Sequence, residues 1–323
     1  MINNPQYIIS AGDLADVCAQ SKEDILDSLG KQGLIKMPGG KWGIPPQIVK
    51  AYLSEKGVDY SFKVIAYVNL KGGTGKTTSA ISAATRSVQY GFKTCLLDMD
   101  SQANASLAFD RIPEEDDPIF YDIWQNPAEM VMETLKIVED RLYIIPSALE
   151  NSLLDVKLMN PDSQKNAVRD VCDVVKNNGF DLVMIDCPPS LGTAVISTIC
   201  AADIVIIPVC CDAFSLKGLE FTLEEIKSIC ETFHLKIPRL YILVTKFDKR
   251  LNITKNSLKR ISSLYPEYLI PFPIRTSSEF TKELERKRTV FALTTKSRAK
   301  NDYDRYIRYI LNLDKHLNQG GVR

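Results

Sequence analysis

From residue 61 onward, short apolar runs alternate with stretches of helical spacing. The apolar runs are Val64 to Leu70, Thr94 to Asp98, Arg141 to Pro146, Asp181 to Asp186, Ala201 to Pro208 and Tyr241 to Thr245. Each is short and β-prone, as a strand buried on both faces requires. Helical patterns cover Ser79 to Gln89, stopped by Gly91, then Ala167 to Val175 and Ser215 to Phe233. This alternation predicts an α/β fold, a mostly parallel sheet covered by helices on both faces. Ligands of such sheets bind at the carboxyl ends of the strands.

The first 60 residues follow another pattern. Ser10 caps a helix with Leu14, Val17 and Cys18 on its inner face. Ser21 and Asp24 form an S-x-x-D capping box for a second helix, with Ile25, Leu26 and Leu29 inward and a stop near Gly30 or Gly33. Residues 34–37 and 41–44, joined by Pro38-Gly39-Gly40, predict a hairpin. A third helix is expected over Gln47 to Lys56. The chain therefore divides at about residue 60, into a small module (1–60) and a larger domain (61–323). Helix, turn, helix and hairpin together resemble a winged helix-turn-helix.

The strand from Val64 ends in the loop K-G-G-T-G-K-T-T, residues 71–78, and a helix follows. Strand, glycine-rich loop and helix in that order form a phosphate-binding loop. Glycines let backbone N–H groups turn towards an anion. The helix N-terminus adds about half a positive charge at the same point. Lys76 is placed to reach the β- and γ-phosphates, and the Thr77 hydroxyl to ligate Mg²⁺.

One departure carries information. The general loop has a glycine where this chain has Leu70, and Lys71 comes next. The loop thereby resembles the deviant Walker A loop of the ParA/MinD family of partitioning and positioning ATPases. Two further segments match that family. D-M-D-S-Q-A-N at 98–104 is similar to D-x-D-P-Q-x-N, with Ser101 where the family has proline, and D-L-V-M-I-D-C-P-P-S at 181–190 is similar to its Walker B strand.

The resemblance implies ATP and Mg²⁺ as ligands, bound by Lys71, Gly72, Gly73, Thr74, Gly75, Lys76, Thr77 and Thr78. It implies that Lys71 reaches the nucleotide of a partner subunit and that Asp100 orients the attacking water. Asp186 is implied to hold Mg²⁺ through water. Phosphoryl transfer needs little beyond positioning and charge neutralisation, so one such carboxylate suffices chemically. The I-P-F-P-I-R segment, 270–275, matches a family segment beside the adenine, making Pro271 and Phe272 candidates for the base. Arg275, Lys296 and Arg298 are the candidates for DNA phosphates. The implied partners are a second copy in the ATP state, nonspecific double-stranded DNA and a ParB-like cargo adaptor that stimulates slow hydrolysis. The implied location is the cytoplasm, on the nucleoid.

Charge refines this picture. The 323-residue chain is neutral overall, so any DNA contact must be local. Residues 281–323 carry a net +6, whereas 110–140 carry −8 and read as a solvated loop and helix. Residues 1–60 carry −1, with Glu23, Asp24 and Asp27 on the second helix. That is a poor footprint for DNA, and dimerisation or partner docking is an equal alternative for the module. The last helix places Tyr303, Tyr306, Ile307, Ile310 and Leu311 on one face, and its mixed polar face favours packing on the sheet over membrane binding.

The eight cysteines include no C-x-x-C pair and read as buried thiols. No apolar run approaches the roughly 18 residues of a membrane span, and M-I-N-N-P-Q does not read as a signal peptide. Two rival classes remain: a nucleotide-switched repressor of its own operon, and a metabolic or metal-cluster-carrying P-loop enzyme. For the latter, Cys187 and the vicinal Cys210-Cys211 are the relevant thiols.

Overall fold

The computed structural model describes residues 7–212, 215–293 and 295–318. Arg323, counted above in the basic C-terminal segment, lies outside the described residues.

Near the N-terminus, β1 (Ile9–Ser10), β2 (Ile35–Lys36) and β3 (Trp42–Ile44) form a small antiparallel sheet in the order β1-β3-β2. Between β1 and β2 lie α1 (Ala11–Cys18) and α2 (Lys22–Leu29), and α3 (Pro46–Glu55) follows β3. The capping residues act as their types dictate. Ser10 Oγ accepts the Asp13 N–H at 3.0 Å, and Ser21 and Asp24 exchange backbone and side-chain bonds in a full capping box.

The large sheet comprises β4 (Lys63–Tyr67), β5 (Thr94–Asp98), β6 (Lys136–Glu139), β7 (Leu142–Ile145), β8 (Leu182–Asp186), β9 (Ile204–Cys210) and β10 (Arg239–Thr245). Their order is β10-β9-β4-β8-β5-β7-β6. Every pairing is parallel except that of β7 with β6. Side chains alternate between two apolar layers: Ile65 and Tyr67 enter one, Val64 and Ala66 the other. The parallel strands put the ends of β4, β5, β8, β9 and β10 on one rim, where the phosphate-binding loop sits.

The acidic stretch corrects one expectation. Residues 110–140 are not simply solvated. Phe120, Ile123 and Val131 are fully buried in the second layer, and Lys136–Glu139 adds an edge strand. Most of the acids face solvent while a few apolar anchors hold the segment down, and Glu139 is buried, accepting the Tyr7 N–H at 2.9 Å. Residues 269–275 follow β10 without forming a strand. Ile270 and Ile274 donate to Ile242 and Val244 carbonyls at 3.0 and 2.8 Å, but Pro271 and Pro273 between them have no N–H to give.

The helix Arg298–Ile310 packs against α4 (Lys76–Gln89), the helix that opens from the phosphate loop. Tyr303, Tyr306, Ile307 and Ile310 are buried there. The Tyr303 hydroxyl hydrogen-bonds Ser79 Oγ at 2.9 Å, and the Tyr306 hydroxyl donates to Tyr67 at 3.0 Å. The N-terminal residues share this layer: Ile9, Leu14, Val49 and Leu53 belong to the same apolar cluster as Tyr303 and Phe291. Ion pairs Asp13–Lys300 (3.0 Å), Asp16–Lys296 (2.8 Å) and Lys50–Asp181 (2.8 Å) border the contact.

Gly91 is the tightest point of that contact. Its φ is +90°, and a Cβ there would stand 2.7 Å from the Lys50 backbone in α3. Gly91→Ala is therefore expected to cost about 2–4 kcal/mol, from left-handed strain plus overpacking. A urea titration should show a lowered midpoint at unchanged slope. A shallower slope would mean that α3 leaves its seat in the folded chain instead.

Candidate functional site

The loop after β4 is built by its own backbone and by its neighbours. Asn69 Nδ2 donates to the Pro208 carbonyl at 2.7 Å, and its Oδ1 accepts the Lys71 N–H at 2.8 Å. Gly73 and Gly75 have φ of +71° and +93°, a region that side chains disfavour. The end of β10 pins the loop from the other side. Thr245 Oγ1 donates to the Thr74 carbonyl at 2.6 Å, and Lys246 Nζ donates to the Gly73 carbonyl at 2.7 Å. Both bonds engage loop carbonyls, and the first turn of α4, whose N–H groups lack partners within the helix, opens beside the loop at one point.

That point is a cavity of ≈ 480 Å³. Gly72, Gly73, Gly75, Lys76, Thr77 and Thr78 line it on one side, and Asp100, Gln102 and Asn104 on another. Leu107, Pro189, Lys246 and Leu284 complete much of the wall. Lys76 is buried, and among the described residues its ammonium donates only a long 3.3 Å bond, to the Lys71 carbonyl. Burial holds it below its ordinary pKa, against the pull of Asp186 and Asp100. A desolvated ammonium at the mouth of a glycine loop is poised for an anion.

Asp186 ends β8 beside Asp98 of β5. It is fully buried, and neither oxygen has a hydrogen-bond partner among the described residues. Burial pushes its carboxyl well above the usual range, and Asp98 adds to the effect. The Thr77 hydroxyl and the Lys76 ammonium pull the other way, without completing a bond to satisfy it. An unsatisfied buried carboxylate costs free energy, about 1–3 kcal/mol. Beside a threonine hydroxyl at a phosphate loop, it suits a hydrated divalent cation, so these residues fit Mg²⁺.

Asp100 stands at the edge of the same cavity. Its Oδ1 accepts the Gln102 N–H at 3.0 Å, and its carbonyl accepts the Ala103 N–H at 2.8 Å. The turn holds although Ser101 replaces proline, because Ala103 takes the left-handed conformation, φ +52°.

The other candidate residues lie elsewhere. Lys71 is on the rim outside the cavity, ion-paired with Asp212 of its own chain. Thr74 is buried behind the loop. Pro271 and Phe272 are absent from the described lining. Phe272 instead packs edge-on against Tyr309 at 5.9 Å, under the Arg305 guanidinium. Arg275 and Arg298 line a second cavity of ≈ 590 Å³ with Lys249 and Arg250. Arg275 is held there by both oxygens of Asp302, and Lys296 is paired with Asp16 outside it.

Sequence reasoning passed over Thr245, Lys246, Asn69 and Gln102. Thr245 and Lys246 carried a usable signal, since they end a parallel strand on the ligand-binding rim.

A glycine loop feeding a helix, a buried lysine, a threonine and Asp100 around one cavity, with the buried Asp186 beside Lys76 and Thr77 but outside the described lining, define a P-loop ATP hydrolase. A family model described as an AAA domain matches residues 62–238. The chain is 30% identical to the chromosome partitioning protein ParA of Myxococcus xanthus, over 67% of this chain and 77% of that protein. It is 29% identical to the cell division protein PomZ of the same organism, over 76% of each. Its fold matches that of Cyanothece McdA in complex with ATP, with a TM-score of 0.70 at 19% identity, covering 78% of this chain and 96% of that one. The chain belongs to the ParA/MinD family of P-loop ATPases. No helix among the described residues is long and apolar enough to cross a membrane.

Proposed function

We propose that this chain is a positioning ATPase, in which ATP binding joins two copies, the joined copies hold DNA without sequence preference, and hydrolysis releases them. The reading extends the chromosome-partitioning and cell-division roles that its relatives are named for. The single observation that carries it is the split between two lysines. Lys76 lies inside the nucleotide cavity, whereas Lys71 stands on its rim, 42% exposed, where a second subunit can meet it.

Within the cavity each residue has a separate task. The loop amides and Lys76 bind the β- and γ-phosphates and offset the charge that builds on the transferred group. Asp100 accepts a hydrogen bond from the attacking water and aligns it. Thr77, and Asp186 through water, would hold Mg²⁺, which would supply charge neutralisation for the transferred group. Lys71 exchanges Asp212 for the partner's phosphates as the copies join. A ParB-like cargo adaptor would then speed the hydrolysis.

Arg275 and Arg298 are the proposed DNA contacts, with Lys249 and Arg250 beside them in the second cavity. Lys296 joins them once it parts from Asp16. Such binding should fall steeply with salt. Pro271 and Phe272 stay proposed for the base, reached by closure of their segment over the loop.

For residues 1–60, docking is the better supported role. The exposed side of α2 carries Glu23, Asp24 and Asp27, which would repel an operator. The cluster-carrier class gains no support from Cys187 or Cys211, which are buried; of the thiols relevant to it only Cys210 is partly exposed, contrary to the expectation of buried cysteines.

The test separates binding from chemistry. Asp100→Ala with ATP and Mg²⁺ should sediment as a dimer and retain DNA, while phosphate release falls on the order of a hundredfold or more. Only monomers under those conditions would overturn the reading.

A further inference from the structure

A fully buried polar chain leads away from Asp100, and the mechanism above does not use it. Asp98, two residues earlier and 0% exposed, accepts the Asp100 N–H at Oδ1 (3.2 Å). Its other oxygen accepts both the N–H and the hydroxyl of Ser106, at 2.8 and 2.7 Å. Ser106 Oγ in turn accepts the Ser147 N–H at 3.0 Å, and Ser147 Oγ accepts Asn151 Nδ2 at 2.7 Å. Asn151 Oδ1 closes the chain by accepting the Tyr121 N–H at 3.1 Å.

The geometry points to Asp98 and Ser106 as positioning residues for ATP hydrolysis: together they clamp both ends of the 98–106 loop and so set the pose of Asp100. The inference rests on the proposed role of Asp100. Its physical basis is the loop itself. Between the end of β5 and the short helix Asn104–Ala108, the backbone must turn sharply, with Ala103 at positive φ and Ser101 in place of a stiffening proline. One carboxylate that binds the N–H at position 100 and both donors of residue 106 fixes the turn from within. Asp98 has no place in the cavity lining, and Ser106 points away from it, so neither touches the nucleotide directly. The low polarity around them strengthens each bond and makes the geometry rigid. A displacement of about 1 Å at an attacking water is enough to cost on the order of a hundredfold in rate.

Ser147 and Asn151 extend the clamp to the segment after β7. They fix Ser106 in one rotamer, because its hydroxyl hydrogen is committed to Asp98 and its lone pair to the Ser147 N–H.

The experiment measures kcat, ATP affinity and ATP-dependent dimerisation for Asp98→Asn and Ser106→Ala, alone and combined with Asp100→Asn. Asp98→Asn should lower kcat at least tenfold and Ser106→Ala three- to tenfold, with ATP affinity unchanged within twofold and dimers retained. On the Asp100→Asn background both should add less than twofold, because their effect passes through that residue. Ser106→Ala keeps its backbone bond to Asp98, so it carries the test if Asp98→Asn does not fold. A lowered melting temperature with unchanged kcat would overturn the inference, as would a full independent loss on the Asp100→Asn background. If Asp100→Asn itself hydrolyses ATP normally, the reading of Asp100 fails instead.

Discussion

Lys76→Ala is expected to abolish the thermal stabilisation that ATP and Mg²⁺ confer, and to lower hydrolysis by about 10²–10³-fold. The size follows from what Lys76 is asked to do. It supplies a preorganised charge in a partly dehydrated cavity, where one such donor is worth roughly 3–4 kcal/mol of the barrier. Without nucleotide the ammonium does little for the fold. It is buried, held below its ordinary pKa by desolvation, and its one bond among the described residues is the long contact with the Lys71 carbonyl. The melting temperature of the free variant should therefore stay within a few degrees of the parent. Ligand at a hundred times its dissociation constant normally adds about 2.7 kcal/mol, and that increment should disappear. A variant that still gains the full increment would show that the phosphates sit elsewhere.

Asp186→Asn should produce opposite effects on stability and activity. The carboxylate is fully buried, without a hydrogen-bond partner among the described residues, and its pKa is pushed well above the ordinary 3.8. A buried acid of this kind keeps its proton longer in the native chain than in the unfolded one. Raising the pH above about 4 therefore favours the unfolded chain, and stability falls as pH climbs through the folded value. Asp98, pushed up to about 6 by burial and opposed by its bonds to Ser106, contributes in the same direction. Replacing Asp186 by asparagine removes its share of that charge cost. The nucleotide-free variant should melt higher at pH 7–8, with a flatter pH dependence above about pH 4. Mg²⁺-dependent turnover should fall about a hundredfold or more, since the same unsatisfied oxygens are those that would hold the hydrated cation. An unchanged pH slope would mean that Asp186 is solvated in the free protein.

Much of the site was legible because its parts are contiguous. Residues 71–78 form one contiguous segment, Asp186 closes a short apolar run, and Asp100 follows two residues after the run that Asp98 closes. Strand-then-turn patterns of this kind depend on local backbone preference and on period-two burial, which a linear string displays. The edge strand Lys136–Glu139 was not legible. It is four residues long, half-exposed, and embedded in acids, so its pairing with β7 comes from contacts rather than from its own pattern. The placement of Phe272 against Tyr309 and Arg305 is likewise a matter of packing between distant segments.

By itself, then, the order of residues determined a parallel sheet with a nucleotide loop at its rim, along with the lysine, threonine and aspartates that serve it. Tertiary structure alone decided which groups hold those residues still. Thr245 and Lys246 grip the loop from β10, Asp98 and Ser106 clamp the turn carrying Asp100, and α1 and α3 join the apolar cluster that includes the helix Arg298–Ile310. The physical reason is range. Turn chemistry and strand period act over a few neighbours, whereas a buried hydrogen bond between residues 171 positions apart exists only once the sheet has brought them together.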